Sequence, residues 1–244
     1  MYCAGGGVAQ WGPFRSEMMI YDPAVDAWSM GPSMNIPRDH IMETVIALRG
    51  GRCLYVAGGR THIRDVGAEK MHPAYFGNTN AVEIFDSSTG LWTVMRNLLN
   101  VKDAVSITRY YRYGKDKEPN LLLVGGQSYS YMTGQVFNLV EEYDVEKDLY
   151  YCHKPLAHPY FGGTIGIHEG KVHIVGGGEW VGFAASRRVQ TYSIEKAPPP
   201  RQCFYKQVPI FDEWDERTWN KNKPYPDIDD RTSHDALSFM STQL

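Results

Sequence analysis

The sequence predicts an all-β protein, a β-propeller of four-stranded antiparallel blades. Three observations carry that prediction. A short apolar run ending in a glycine pair recurs four times at a period near 50 residues, which suits a propeller array rather than a helical solenoid. A turn aspartate is followed at a constant offset by a large aromatic, and a further apolar segment stands ahead of the later glycine pairs.

The most regular unit runs from 121 to 151. Residues 121–124 (LLLV) read as a short buried strand, Gly125 and Gly126 as a turn where a side chain would not fit, 141–143 as an alternating strand and 149–151 as another. The same order returns in YCAGGG at 2–7 with MIYDPAVDAW at 19–28, in LYVAGGR at 54–60 with VEIFDSSTGLW at 82–92, and in VHIVGGG at 172–178 with VQTYS at 189–193. The aligned pairs are therefore Gly6 and Gly7, Gly58 and Gly59, Gly125 and Gly126, and Gly176 and Gly177.

Trp28, Trp92 and Tyr150 each stand six residues after Asp22, Asp86 and Asp144. A fixed offset across a turn is what a hairpin needs to return a ring to the same layer. The aspartates read as caps of their own turns, and Trp28 and Trp92 as rings buried between neighbouring sheets. Apolar segments at 41–48, 104–108 and 163–167 supply a first strand for the later units, joined through RGGR (49–52), HEGK (168–171) and the longer RYYRYGKDKEPN (109–120), which is expected to extend its hairpin. Each complete unit thus has four antiparallel strands, a to d in chain order. The first unit has b, c and d only.

These features resemble the kelch repeat: a first strand opening on Arg or His, a second ending in Gly-Gly, a third ending in Tyr-Asp and a fourth opening with Trp. Residues 37–95 match best, through PRDHIMETVIA, LYVAGG, VEIFD and LWTVM, and the likeness extends from Tyr2 to about Val208. The units fall at about 1–31, 37–95, 101–152 and 158–208. The fourth departs: Ser193 replaces the aspartate, no tryptophan follows, and Pro198, Pro199 and Pro200 suit an edge or a loop. The resemblance implies a ring of five to seven blades, more than these units supply. Residues 209–229 read as an acidic linker. In 230–244, DRTSHDALSFM has the look of an isolated strand a, which either closes the ring against the N-terminal strand or begins a further blade, the chain then being part of a longer protein with further domains.

With 43% apolar and 13% aromatic residues the chain can bury a sizeable core, and a net charge of −3 argues against nucleic acid as the main partner. No apolar run approaches the roughly 20 residues that span a bilayer, so no membrane insertion is expected. Cys3, Cys53, Cys152 and Cys203 lack CxxC spacing and read as reduced packing residues. With no signal-peptide pattern in MYCAGGGVAQ, a cytoplasmic location is expected.

Successive antiparallel strands reverse direction, so the b–c loops and the d–a connections emerge on one face. That face combines aromatics with cations, the residue types that dominate protein–protein hot spots. The candidate contacts are Trp11, Arg15, Arg38, His40, Arg60, His62, Arg64, Tyr75, Tyr129, Tyr131, Trp180 and Arg187. In the kelch family this face holds protein or peptide partners, and a protein-interaction module is the expected function. Asp39 and Asp103 read as structural.

An enzyme is the alternative. There is no GxSxG, HExxH, P-loop or helix-opening GxGxxG, so no catalytic residue, metal or cofactor is assigned. A galactose-oxidase-like copper enzyme, or another carbohydrate-active enzyme on a kelch propeller, would need a constellation whose nearest relative here is Tyr151-Cys152-His153. Its place in a strand d marks Tyr151 and His153 as packing residues.

Overall fold

The structure, a computed structural model, describes residues 1–8, 13–41, 45–62, 76–112, 114, 117–130, 133–180, 185–194 and 201–202. The linker expected at 209–229 and the strand expected at 230–244 lie outside the described residues.

Four antiparallel sheets follow one another along the chain. Sheet 1 contains β1 (Tyr2–Ala4), β2 (Met18–Asp22) and β3 (Ala27–Gly31). Sheet 2 begins with β4 (Val45–Leu48) and β5 (Cys53–Ala57); a small ribbon of β6 (Arg60–His62) and β7 (Phe76–Asn78) intervenes before β8 (Val82–Asp86) and β9 (Leu91–Met95) complete it. Sheet 3 repeats the plan with β10 (Ser106–Tyr110) and β11 (Asn120–Val124), a ribbon of β12 (Gln127–Ser130) and β13 (Thr133–Val136), then β14 (Val140–Asp144) and β15 (Leu149–Cys152). Sheet 4 contains β16 (Thr164–His168), β17 (Lys171–Val175) and β18 (Val189–Ser193). The architecture is all-β and propeller-like. Two loops expected to be irregular therefore carry ribbons, and the hairpin expected to extend through 109–120 stops pairing at Tyr110 and Asn120.

Alternation along the second strand of each sheet explains how the sheets stack. In β5, Cys53, Tyr55 and Ala57 enter one apolar cluster with Leu121, Leu123 and Tyr143 of sheet 3, while Leu54 and Val56 enter another with Met18 of sheet 1. In β11, Leu122 and Val124 turn to Val172 and Ile174 of sheet 4. A strand buried on both faces reads as a continuous apolar run because neither face meets water. Each such leucine contributes roughly 2 kcal/mol relative to exposure.

The glycine pairs are needed where one sheet meets the connection leading into the next. Gly58 and Gly59 (φ +62° and +98°) and Gly125 and Gly126 (φ +67° and +96°) are left-handed. A Cβ on Gly58 would come 2.3 Å from the Lys102 carbonyl oxygen, and one on Gly125 would come 2.0 Å from that of Tyr160. In return, the second glycine donates its N–H to the same connection, Gly59 to Lys102 O at 3.0 Å and Gly126 to Tyr160 O at 2.8 Å. In sheet 1 this role falls to Gly5 and Gly6, with Gly6 N–H bonded to Arg38 O at 2.8 Å. The expected pairing of Gly6 with Gly7 was one residue late. In GGG the residue names alone cannot tell which two glycines sit against the connection.

The turn aspartates act through their side chains: Asp22 and Asp86 accept the backbone N–H two residues on, and Asp144 that of Lys147 three on. Trp92 lies in the seam between sheets 1 and 2 and donates its indole N–H to Pro32 O at 2.8 Å, and Tyr150 is buried between sheets 2 and 3. Trp28 departs from the expectation of burial. It is 52% exposed, its ring tilted against that of Tyr21 at 5.1 Å, because its side of sheet 1 is covered by no other described sheet.

Among the described residues, sheet 4 has three strands. The chain then pairs β19 (Arg201–Gln202) with β15, as a fifth strand of sheet 3. Cys152 of β15 is disulfide-bonded, which corrects the expectation of four reduced cysteines; Cys3 and Cys53 are free, and Cys203 lies outside the described residues. Beside it, Glu142 is buried with Arg112, Asn120 and His153 on its carboxylate, His153 Nε2 at 2.7 Å. Burial alone would raise that carboxyl, but the three partners hold it at about 2.

Gly125→Ala should therefore cost more than about 2 kcal/mol, whereas Glu146→Ala on the exposed turn should cost less than about 0.5 kcal/mol; paired urea melts check both. Glu142 has its folded value depressed below its ordinary 4.5, so its stabilisation is complete above that pH and is lost as pH falls towards 2. Melts of Glu142→Gln across this window should show a flatter pH dependence than the parent.

Candidate functional site

On the side where the b–c loops and d–a connections emerge, each later sheet makes the same backbone rung. Asp39 and Arg60 exchange N–H···O bonds of 3.0 and 2.9 Å, Asp103 and Gln127 bonds of 2.8 and 3.0 Å, and Phe161 and Gly178 bonds of 3.1 and 2.9 Å. The next residue of each connection is left-handed: His40 (φ +53°), Ala104 (+48°) and Gly162 (+62°). These three are joined in a row, Ala104 N–H to His40 O at 3.5 Å and Gly162 N–H to Ala104 O at 2.9 Å. Such a φ is costly for any residue with a Cβ. Of the three places, only the first carries a large polar side chain.

His40 stands above a charged lock. Arg60 grips Asp39 with two bonds, Nε to Oδ1 at 2.9 Å and Nη2 to Oδ2 at 2.8 Å, while His40 Nδ1 lies 3.2 Å from Asp39 Oδ1. Burial would raise the Asp39 carboxyl, but His40 and Arg60 outweigh it and lower it. The adjacent Asp103 has the opposite balance: burial raises it, although Asn78 donates to Oδ2 at 2.8 Å and His40 and Arg60 add positive charge. The mouth thus holds one carboxylate kept ionised and a second pushed towards its neutral form.

Deeper still lie the cations that hold each connection to the sheet it enters. Arg38 is fully buried, paired with Glu83, and donates to Gly58 O at 3.0 Å and Ala81 O at 2.8 Å. Lys102 occupies the equivalent place and pairs with Glu141. In sheet 4, Gln190 does the corresponding work through the backbone of His158.

These geometries correct two expected contacts. Arg38 reaches no surface, because its guanidinium turns inward to Glu83 while the left-handed turn at His40 breaks the alternation and carries that side chain outward, and Arg60 is buried against Asp39. His62 is half-buried: its Nε2 accepts the Phe14 N–H at 3.2 Å and its ring lies 4.6 Å from that of Phe14, so it anchors the first loop. His40, Arg15, Trp180 and Arg187 are exposed on this side. Trp11, Arg64, Tyr75 and Tyr131 lie outside the described residues, as does the side chain of Tyr129.

Sequence reading passed over Asn78 and Gln127: the signal at Gln127 is only that it follows the glycine pair where the second unit has Arg60, and Asn78, across the ribbon from Arg60, carries no local signal. It also passed over the group at sheet 4, where Arg188 Nε donates to Glu179 Oε1 at 2.7 Å, Ser186 shares that oxygen, and Arg188 Nη1 lies 3.2 Å from His158 Nε2. The Arg188 and Ser186 bonds lower the Glu179 carboxyl. The Tyr151-Cys152-His153 cluster is committed to structure through the disulfide and through Glu142.

Among solved structures, the chain is similar to that of YjhT, a kelch-type propeller protein, with a TM-score of 0.53 and 13% sequence identity over 75% of this chain and 51% of that one. At that identity the likeness shows the fold alone, and the chain spans about half the length of its neighbour. No family model and no curated protein matches the sequence. No helix among the described residues is long and apolar enough to cross a membrane.

Asp39→Ala should cost about 2–4 kcal/mol, since it strands the buried Arg60 cation, whereas His40→Gly should leave the midpoint unchanged or raise it by relieving the left-handed strain. Chemical denaturation of the two variants beside the parent checks the pair.

Proposed function

We propose that the chain is a kelch-type propeller module, with units at about 1–31, 37–95, 101–152 and 158–208, that holds a protein or peptide on the side bearing the b–c loops and d–a connections. One observation carries this reading. His40 is kept in a strained conformation above a rigid Asp39–Arg60 lock, at a place where Ala104 and Gly162 show that the fold needs no side chain. Strain held against folding stability, with an exposed imidazole as its product, is what a binding site selects for. Trp180 at 68% exposure, with Arg15 and Arg187, supplies the aromatic and cationic contacts on the same side.

The copper-enzyme alternative draws no support from the cluster that suggested it, whose cysteine and histidine have structural partners. The cytoplasmic setting is weakened in turn, because a disulfide at Cys152 suits an oxidising compartment. An interaction module needs neither a cofactor nor a nucleic-acid partner.

Peptides selected against the purified chain from a displayed random library give the test. A variant carrying Arg15→Ala, Trp180→Ala and Arg187→Ala, and separately His40→Gly, should bind them about tenfold or more weakly with Tm preserved. Unchanged affinity in both variants would refute the site.

A further inference from the structure

On the opposite side, where the a–b hairpins emerge, sheets 2 and 3 enclose a cleft of about 470 Å³ lined by 47–51 and by Arg109, Tyr111, Lys117, Glu118 and Pro119. Its size is that of a small-ligand site. Its lining is not apolar, however. Arg49, Arg109 and Lys117 bring three cations to it, and Glu118 one acid.

Most arginines of the sheets have an acid partner. Arg38, Arg60, Arg96, Arg112, Arg188 and Lys102 each pair with a carboxylate. None of the three cleft cations pairs with a carboxylate among the described residues. Glu118 offsets only one of the three charges and makes no ion pair with any of them: its Oε1 accepts the backbone N–H of Arg49 at 2.7 Å and ties one hairpin to the other. Arg109 donates from Nε at 2.9 Å and from Nη2 at 2.6 Å to Ala47 O, which fixes its guanidinium against the wall. Arg49 is held left-handed at φ +50°, followed by Gly50 at +65° and Gly51 at +93°. A Cβ on either glycine would meet nothing within 4 Å, so the floor of the turn is open.

We propose that this cleft binds a small polyanion, phosphorylated or polycarboxylic. In a chain of net charge −3, three cations lining one cleft, with no acid partner among the described residues, form a local reversal of sign, and two of them, Arg109 on Ala47 O and Arg49 on Cys53 Sγ, are positioned before any ligand arrives. Prior placement lowers the entropy lost on binding, and guanidinium groups match the paired oxygens of phosphate and carboxylate. The site lies apart from the partner-binding side and does not depend on that reading.

Calorimetric titration of the purified chain with inorganic pyrophosphate and, separately, with citrate at low salt tests the proposal. Saturable binding at one site is expected, weakening as salt is raised. Arg49→Gly suits the left-handed backbone and removes the guanidinium, and Lys117→Ala removes a surface ammonium. Each should weaken binding about fivefold or more without lowering Tm, while Trp180→Ala should leave it unchanged. Binding of pyrophosphate alone would assign the phosphorylated class, and of citrate alone the polycarboxylic class. Saturation by neither, or binding that the Arg49→Gly and Lys117→Ala pair leaves intact, would overturn the proposal.

Discussion

The structure depends on one recurring close approach: the backbone connection entering each sheet lies directly against the glycine pair of the sheet before it. At Gly58 and Gly125 the gap leaves no room for a methyl group, so side-chain loss is the condition for the contact rather than its consequence. The second glycine then bonds the connection through its N–H, and a side chain completes the join, buried in Arg38 on Glu83 and Lys102 on Glu141 and half-buried in Gln190 on the backbone of His158. A buried ion pair adds little net stability over an apolar one, and its best-attested contribution is to fix one arrangement among several.

The same join produces the candidate site. Because each connection is pinned by the second glycine before it and by a side-chain tie to the sheet it enters, the next two residues are forced outward into a rung and a left-handed turn. His40, Ala104 and Gly162 are equivalent by this geometry and not by residue type. What differs between sheets is the side chain placed on an invariant backbone, and that is where a repeat fold can vary function without disturbing its core.

The two end sheets show how far the repeat controls the surface. At the second position of the third strand, where sheets 2 and 3 carry Glu83 and Glu141, sheet 1 has Met19, with Tyr21, Trp28 and Met30 on the same exposed side. The corresponding outer side of sheet 4 has Lys171, His173 and Thr191 around Val175 and Val189. The strand pattern was legible in the sequence because alternation and glycine pairs are local signals. Exposure of Trp28 was not, since it depends on what lies beside the sheet. Arg38 and His40 show the same limit two residues apart: both stood out as polar residues at the mouth of a strand, yet only the fold decides that one faces Glu83 and the other water. The left-handed Ala104 and the β19 crossover to sheet 3 leave no mark in residue type. For that reason the polar row was only half visible beforehand.

Native-state hydrogen exchange at the amides of Gly6, Gly59 and Gly126 tests the central claim most directly, because these N–H groups make the bonds from sheet to connection. If the joins hold the sheets in order, these amides exchange only with global unfolding, as slowly as the central amides of β5 and β11. Exchange of these amides by local opening, at rates like those of the exposed turn around Glu146, would show that the joins are not what holds the sheets in order.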